Sequence, residues 1–204
     1  MPPAEFDLRG LGPGQAPARE AVAAAADADA VLVRGPVPAL SAVLAVLHKA
    51  GRTAEVPVSW EPADDTASTG LARALGVGTG AERTLSLVRD DHGGVLLHHG
   101  RVEAAGDDRR RLARRFGAQA HNDAAKVADG FITRIDVRPD WRQVDTLGVV
   151  VMTLPLRPVR RSTGRAVQIA SDPARVVRDG VPYPRPVSRW TWYADDRVRW
   201  RLLP

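Results

Sequence analysis

A chain of 204 residues that is 44% hydrophobic and 26% charged can bury a core as one large or two small domains, and it is too apolar to be disordered throughout. It contains no cysteine, which excludes a disulfide framework or a thiolate metal site and suits a reducing compartment. The net charge of +5 raises the question of anionic partners, but the basic residues are nearly all arginine, with Lys49 and Lys126 the only lysines.

Residues 1–16 carry Pro2, Pro3, Gly10, Gly12, Pro13 and Gly14 and read as a disordered lead-in without the features of a secretory signal. A helix is expected from Pro17 through the alanine run, then a short buried strand over Ala30 to Arg34. Leu40, Val43, Leu44 and Leu47 recur at helical spacing within Val37 to Ala50, with Gly51 as a stop. A strand from Ala54 to Trp60 and a helix from Thr66 to Leu75, closed by Gly76, complete the grammar of a parallel α/β layer over residues 17–78. Beyond it, in residues 79–204, the pattern turns to strands: Thr84 to Val88, Val95 to Glu103, Phe131 to Val137, Ala166 to Ala170, Arg175 to Arg178, Val187 to Tyr193 and Val198 to Leu203. Two helices interrupt, one charged from Asp107 to Phe116 and one from Asp140 to Met152, and Pro155 to Pro158 marks a break. The longest apolar run, Leu147 to Leu156, falls short of the ~20 residues a membrane helix needs. The protein is expected to be cytoplasmic, at most peripheral to a membrane.

Three blocks carry a resemblance. Leu71-Ala-Arg-Ala-Leu-Gly-Val77 comes first, then Ala124-Ala-Lys-Val-Ala-Asp-Gly-Phe-Ile-Thr-Arg-Ile-Asp-Val137, then Ala174-Arg-Val-Val-Arg-Asp-Gly-Val-Pro-Tyr183 with the strands that end at Pro204. In this order, over about two thirds of the chain, they resemble the diacylglycerol kinase and sphingosine kinase family of lipid kinases. The resemblance implies an α/β plus β fold, with a truncated Rossmann-like N-terminal layer followed by an antiparallel β-sandwich-like C-terminal domain. It implies ATP and magnesium as cofactors of an active member. It places Asp179 at the family's candidate general base, Gly35, Thr66 and Ser68 at the phosphate loops, and Asp129, assisted by Asp123, at a structural magnesium.

The same comparison exposes departures. Arg34-Gly35-Pro36-Val37-Pro38 stands where the family has a Gly-Gly-Asp-Gly-Thr loop, so two prolines remove two amide donors. Pro62-Ala-Asp-Asp-Thr-Ala-Ser-Thr-Gly70 replaces the second phosphate motif, Val181 replaces a glutamate, and the family's first strand with its loop is expected to be absent. A degenerate, non-catalytic or regulatory relative is therefore the leading expectation, and an active lipid kinase completed by a partner chain or a homo-oligomer the second. A third is a basic module on anionic lipid, with nucleic acid disfavoured, using Arg109 to Arg115 or the looser group Arg157, Arg160, Arg161 and Arg165. Simpler readings stand beside these: a hairpin turn at Asp179-Gly180, a helix cap or turn at Asp123 and Asp129, solvated surface for the arginines. His98 and His99 would point to opposite faces of a strand, which argues against a metal site shared with His92. Trp190, Trp192 and Trp200 suit core packing better than a lipid cleft.

Overall fold

A computed structural model describes residues 3–106, 114–153 and 157–204. Most of the expected charged helix, three of the arginines in the first cluster, and the Pro155-Leu156 break lie outside these residues, while Phe116 opens a strand. The protein is a sheet-dominated α/β fold with few helices. Its first lobe contains β1 (Ala4–Asp7), α1 (Arg19–Val22) with a 3-10 turn (Ala23–Asp27), β2 (Val31–Gly35), α2 (Val37–Lys49), β3 (Pro57–Pro62) and α3 (Thr66–Leu75). The second is built from β4 (Arg83–Asp90), β5 (Gly100–Ala104), β6 (Phe116–Asn122), β7 (Ala125–Ile132), β8 (Arg134–Pro139), β9 (Leu147–Thr153), β10 (Arg157–Gly164), β11 (Ala166–Arg178), β12 (Val181–Pro182) and β13 (Val187–Leu202).

The lead-in is the first correction. Ala4–Asp7 is a strand, paired in parallel with Val31 to Arg34, so the strand expected to be missing is present in this chain. Phe6 is its one buried side chain and joins Val31, Val33, Val58 and the apolar stripe of α2 in the first core. No partner chain is needed to supply that strand. The second correction concerns Asp140 to Met152, where a loop leads into β9. Val149, Val150 and Val151 are β-branched and sit more easily on a pleated surface than in a helix, and pairing with both β8 and β10 settles the choice. The alanine helix also shortens, giving way after Val22 to the 3-10 turn.

α3 forms as its local signals demand. Asp65 caps its N-terminus by accepting from the Ser68 amide, and Gly76, at φ 73°, ends it in the left-handed conformation. The main path of the sheet runs β1-β2-β3-β13-β11-β5-β8-β9-β10, with β4 on β13 and the β6–β7 hairpin on β11. The two lobes, though their cores are separate, are thus joined by hydrogen-bonded strands: β13 pairs with β3 through Arg201 and Leu202. Trp200 is buried in the first core and Trp190 and Trp192 in the second, so none of the three lines an open cleft.

Candidate functional site

Parallel strands end together, so the segments that follow β1, β2 and β3 gather along one edge of the first lobe. The segment after β1 holds Gly10, Gly12 and Gly14, and Gly14 lies so near the Asp179-Gly180 turn that a Cβ on it would stand 3.7 Å from the Gly180 carbonyl oxygen. The second lobe meets this edge through that turn and through Leu97, His98 and His99.

Asp179 and Gly180 are the central pair of a tight hairpin between β11 and β12, at φ 49° and 86°, the left-handed values an Asp-Gly type I′ turn uses. The turn aims the Asp179 carboxylate inward, where it is buried. It accepts hydrogen bonds from the amides of Leu97 at 2.9 Å, His98 at 2.8 Å and His99 at 2.9 Å, and from the Ser41 hydroxyl at 2.9 Å. Three of these donors belong to the second lobe and the fourth to α2 of the first. The carboxylate therefore clamps the lobes together. Ser41 was not singled out in the sequence, although a hydroxyl within the stripe Leu40, Val43, Leu44 and Leu47 is the kind of buried polar group that must find a partner.

Gly35 has a φ of 149°, and a Cβ there would come within 2.9 Å of the Leu8 carbonyl oxygen. Its own carbonyl accepts from Trp60 Nε1 and the Ala63 amide, both at 3.0 Å. At the start of α2, Pro36 and Pro38 lack an N–H, the Val37 amide donates to Ser68 Oγ at 3.2 Å, and the Ala39 amide turns back to the Pro36 carbonyl at 2.9 Å. Ser68 Oγ in turn donates to Asp65 Oδ2 at 2.6 Å. Ser68 is buried within this chain of bonds, whereas Thr66 is exposed on the first turn of α3. The three candidate phosphate-loop residues thus lie on one edge, but Gly35 and Ser68 are engaged in holding β2, α2 and α3 together. An amide cradle for phosphate does not fit the start of α2.

Asp123 and Asp129 do not converge. Asp123, at φ 51°, turns β6 into β7 and its carboxylate accepts from the amides of Arg165 and Ala166. Asp129 stands opposite Gln119, farther along that hairpin, and is paired with Lys126 Nζ at 2.8 Å, which holds its carboxyl below the usual range. Among the described residues no three metal-type side chains gather. The histidines also go separate ways. His92 packs on Tyr183 and Trp190, and His99 Nε2 contacts Asp136 Oδ1 at 2.8 Å. Burial raises the Asp136 carboxyl, but the His99 contact and the nearby Arg134 and Arg101 leave it below its ordinary value.

Burial lowers the basicity of His98, reinforced by Arg138 and His99 against Asp179 and Asp65, and burial with Arg89 does the same for His48. His48 Nε2 stands 2.7 Å from Arg89 Nη1, a contact that suits a neutral ring accepting the proton. An unfolded imidazole titrates near about 6.5, so as pH falls through that value the unfolded chain takes up protons the folded chain refuses. Stability is expected to decline from about pH 7 to about pH 5.5, well before the depressed Asp136 carboxyl contributes its own loss in acid. Urea midpoints across that interval should fall, and should flatten in the double variant His48→Gln, His98→Gln. A flat wild-type profile would refute the assignment.

A short parallel α/β layer hydrogen-bonded into a larger, mainly antiparallel lobe, with an Asp-Gly turn clamped between them, defines a kinase-like fold of the diacylglycerol kinase and NAD kinase type. Solved structures of this fold superimpose on the chain. A diacylglycerol kinase from Bacillus anthracis str. Sterne superimposes with a TM-score of 0.67 at 10% identity, over 91% of this chain and 80% of that one. A second structure from the same organism gives 0.66 at 12% identity, over 91% and 79%. An NAD kinase from Archaeoglobus fulgidus in complex with ATP gives 0.54 at 12% identity, over 93% and 82%. No protein-family model matches the chain, and no curated protein matches it in sequence. No helix among the described residues is long and apolar enough to cross a membrane.

Proposed function

We propose that this chain is a lipid-kinase-fold protein whose phosphate cradle is closed, and that it acts by binding or regulation instead of by phosphoryl transfer. In this reading β1 to β3 with α2 and α3 are a reduced Rossmann-like layer, and the second lobe is its sandwich-like companion. One observation carries it: the N-cap residue Pro36 and the second residue of α2, Pro38, are both proline, and the amides of Val37 and Ala39 already have partners within the protein. Phosphoryl transfer depends on positioning and charge stabilisation, so a site without amide donors loses most of its rate. The occupied Asp179 carboxylate supports the same reading, because a proton acceptor with four donors already on it has little capacity left for a substrate hydroxyl.

Calorimetric titration with Mg-ATP is expected to give no heat up to millimolar nucleotide, and labelled ATP to give no product with diacylglycerol or a sphingoid base. Turnover of either lipid above background overturns the proposal. A second reading, an active ATP-dependent lipid kinase, is favoured by one feature: β1 completes the layer and is followed by the glycine-rich stretch Gly10 to Gly14 at the edge where nucleotide phosphates would lie. The ATP bound to the archaeal NAD kinase of similar fold agrees with this alternative. Nucleotide binding that is lost in Gly12→Val would favour it.

A further inference from the structure

Two polar side chains carry α2 to the second lobe: Ser41 and His48, seven residues and about two helical turns apart on one stripe of the helix. Ser41 donates to the Asp179 carboxylate. His48 accepts instead, with Nε2 standing 2.7 Å from Nη1 of Arg89, the next-to-last residue of β4. A guanidinium only donates, so this contact exists only while that ring nitrogen carries no proton. A serine hydroxyl sets no such condition.

Arg89 is held from its other side as well. Its Nη2 donates to Asp195 Oδ2 at 2.6 Å and its guanidinium lies 4.9 Å from the centre of the Tyr193 ring, so it stays with β13 when His48 lets go. Asp195 is itself engaged, because it also accepts from the Arg197 amide. His48 lines a groove of about 840 Å³ between α1, α2 and the β4–β5 turn, and the other charged or titratable side chains that line it are Arg19, Lys49 and His92. Asp91, on the same turn, stands 3.7 Å from His92 Nε2.

A proton on His48 therefore meets cations on α1, α2 and β4, while Asp195, the carboxylate that faces it, is already taken by Arg89. Two like charges 2.7 Å apart in a half-buried place cannot both stay. We propose that the His48–Arg89 contact is a proton-operated latch: on protonation the end of α2 withdraws from β4, and the groove beside it widens. The Ser41 contact stays, so the displacement is greatest at the C-terminal end of α2. This goes beyond the function proposed above and holds whether or not ATP is turned over.

Because the chain has no cysteine, Ala24→Cys with Arg189→Cys puts one spin label on each lobe at an exposed position. The distance between the labels is expected to lengthen by about 2 Å from about pH 7.5 to about pH 5.5, with tryptophan fluorescence confirming that the chain stays folded. His48→Gln should abolish the change, since an amide oxygen accepts from Arg89 at either pH. His48→Lys, of similar length but charged throughout, should already show the longer distance at about pH 7.5. His98→Gln should respond to acid as the parent does, which separates the latch from the histidine whose amide serves Asp179. A parent distance indifferent to pH, an acid response that survives in His48→Gln, or a short distance in folded His48→Lys overturns the inference.

Discussion

Asp179→Ala is expected to lower stability by about 3 to 5 kcal/mol, because it strands the amides of Leu97, His98 and His99 and the Ser41 hydroxyl in one step. One acceptor serves four donors here, so removing it is worse than removing any one of them. Ser41→Ala deletes only one of the four bonds and leaves the carboxylate three amides, so about 1 kcal/mol is expected. Asp179→Asn falls between, since an amide nitrogen now faces donors where an oxygen accepted them, although asparagine tolerates the left-handed backbone of the turn. Urea unfolding followed by tryptophan fluorescence reads all three variants. A group serving only as a general base would change activity with little effect on stability. An Asp179→Ala midpoint within about 1 kcal/mol of the parent would therefore refute the clamp.

The second large effect is expected at Gly35. An alanine there faces a backbone conformation that side chains rarely adopt and a Cβ only 2.9 Å from the Leu8 carbonyl oxygen, which belongs to the chain leaving β1. That chain is tied down, because the Leu8 amide donates to the Arg34 carbonyl at 2.7 Å. A cost of about 2 to 3 kcal/mol is expected, measured by the same unfolding assay. Gly51 supplies the control: its φ of 73° is also left-handed, but a Cβ would meet nothing within 4 Å. Gly51→Ala should cost about 1 kcal/mol. Equal losses at the two sites would mean that conformation alone, without the close approach of β1, fixes glycine at position 35.

Legibility in the sequence followed the range of the interactions. The helix Thr66–Leu75 was readable to the residue because its cap, Asp65, and its stop, Gly76, are its immediate neighbours. The apolar stripe of α2 was equally plain. Ala4–Asp7 was not, since Phe6 is its only buried side chain and its hydrogen bonds come from β2, more than twenty residues away. β9 was mistaken for a helix for a related reason: the strand is settled by its neighbours β8 and β10 more than by its own apolar spacing. At the site, the Asp179-Gly180 turn was visible as a local signal, and the two residues do form the turn between β11 and β12. What the carboxylate touches was hidden, because Ser41 lies 138 residues away and Leu97 82. Asp123 and Asp129 carried a magnesium expectation from the family resemblance; Asp129 pairs with a lysine three residues away, whereas Asp123 accepts from the amides of Arg165 and Ala166, 42 and 43 residues away.

β13 has a mechanical consequence. Its sixteen residues carry Trp190 and Trp192 into one core and Trp200 and Leu202 into the other, with ladder bonds to β11 and β4 and a last pair to β3. Two-domain enzymes open and close by bending at a few unpaired linker residues. In this protein β13 runs through the crossing and pairs with β4 on both sides of it, but the register breaks between Asp195 and Arg199, so a bend between the lobes would fall on residues 196–198. The Asp179 clamp opposes that bend, because three of its donors lie in the second lobe and the fourth in α2.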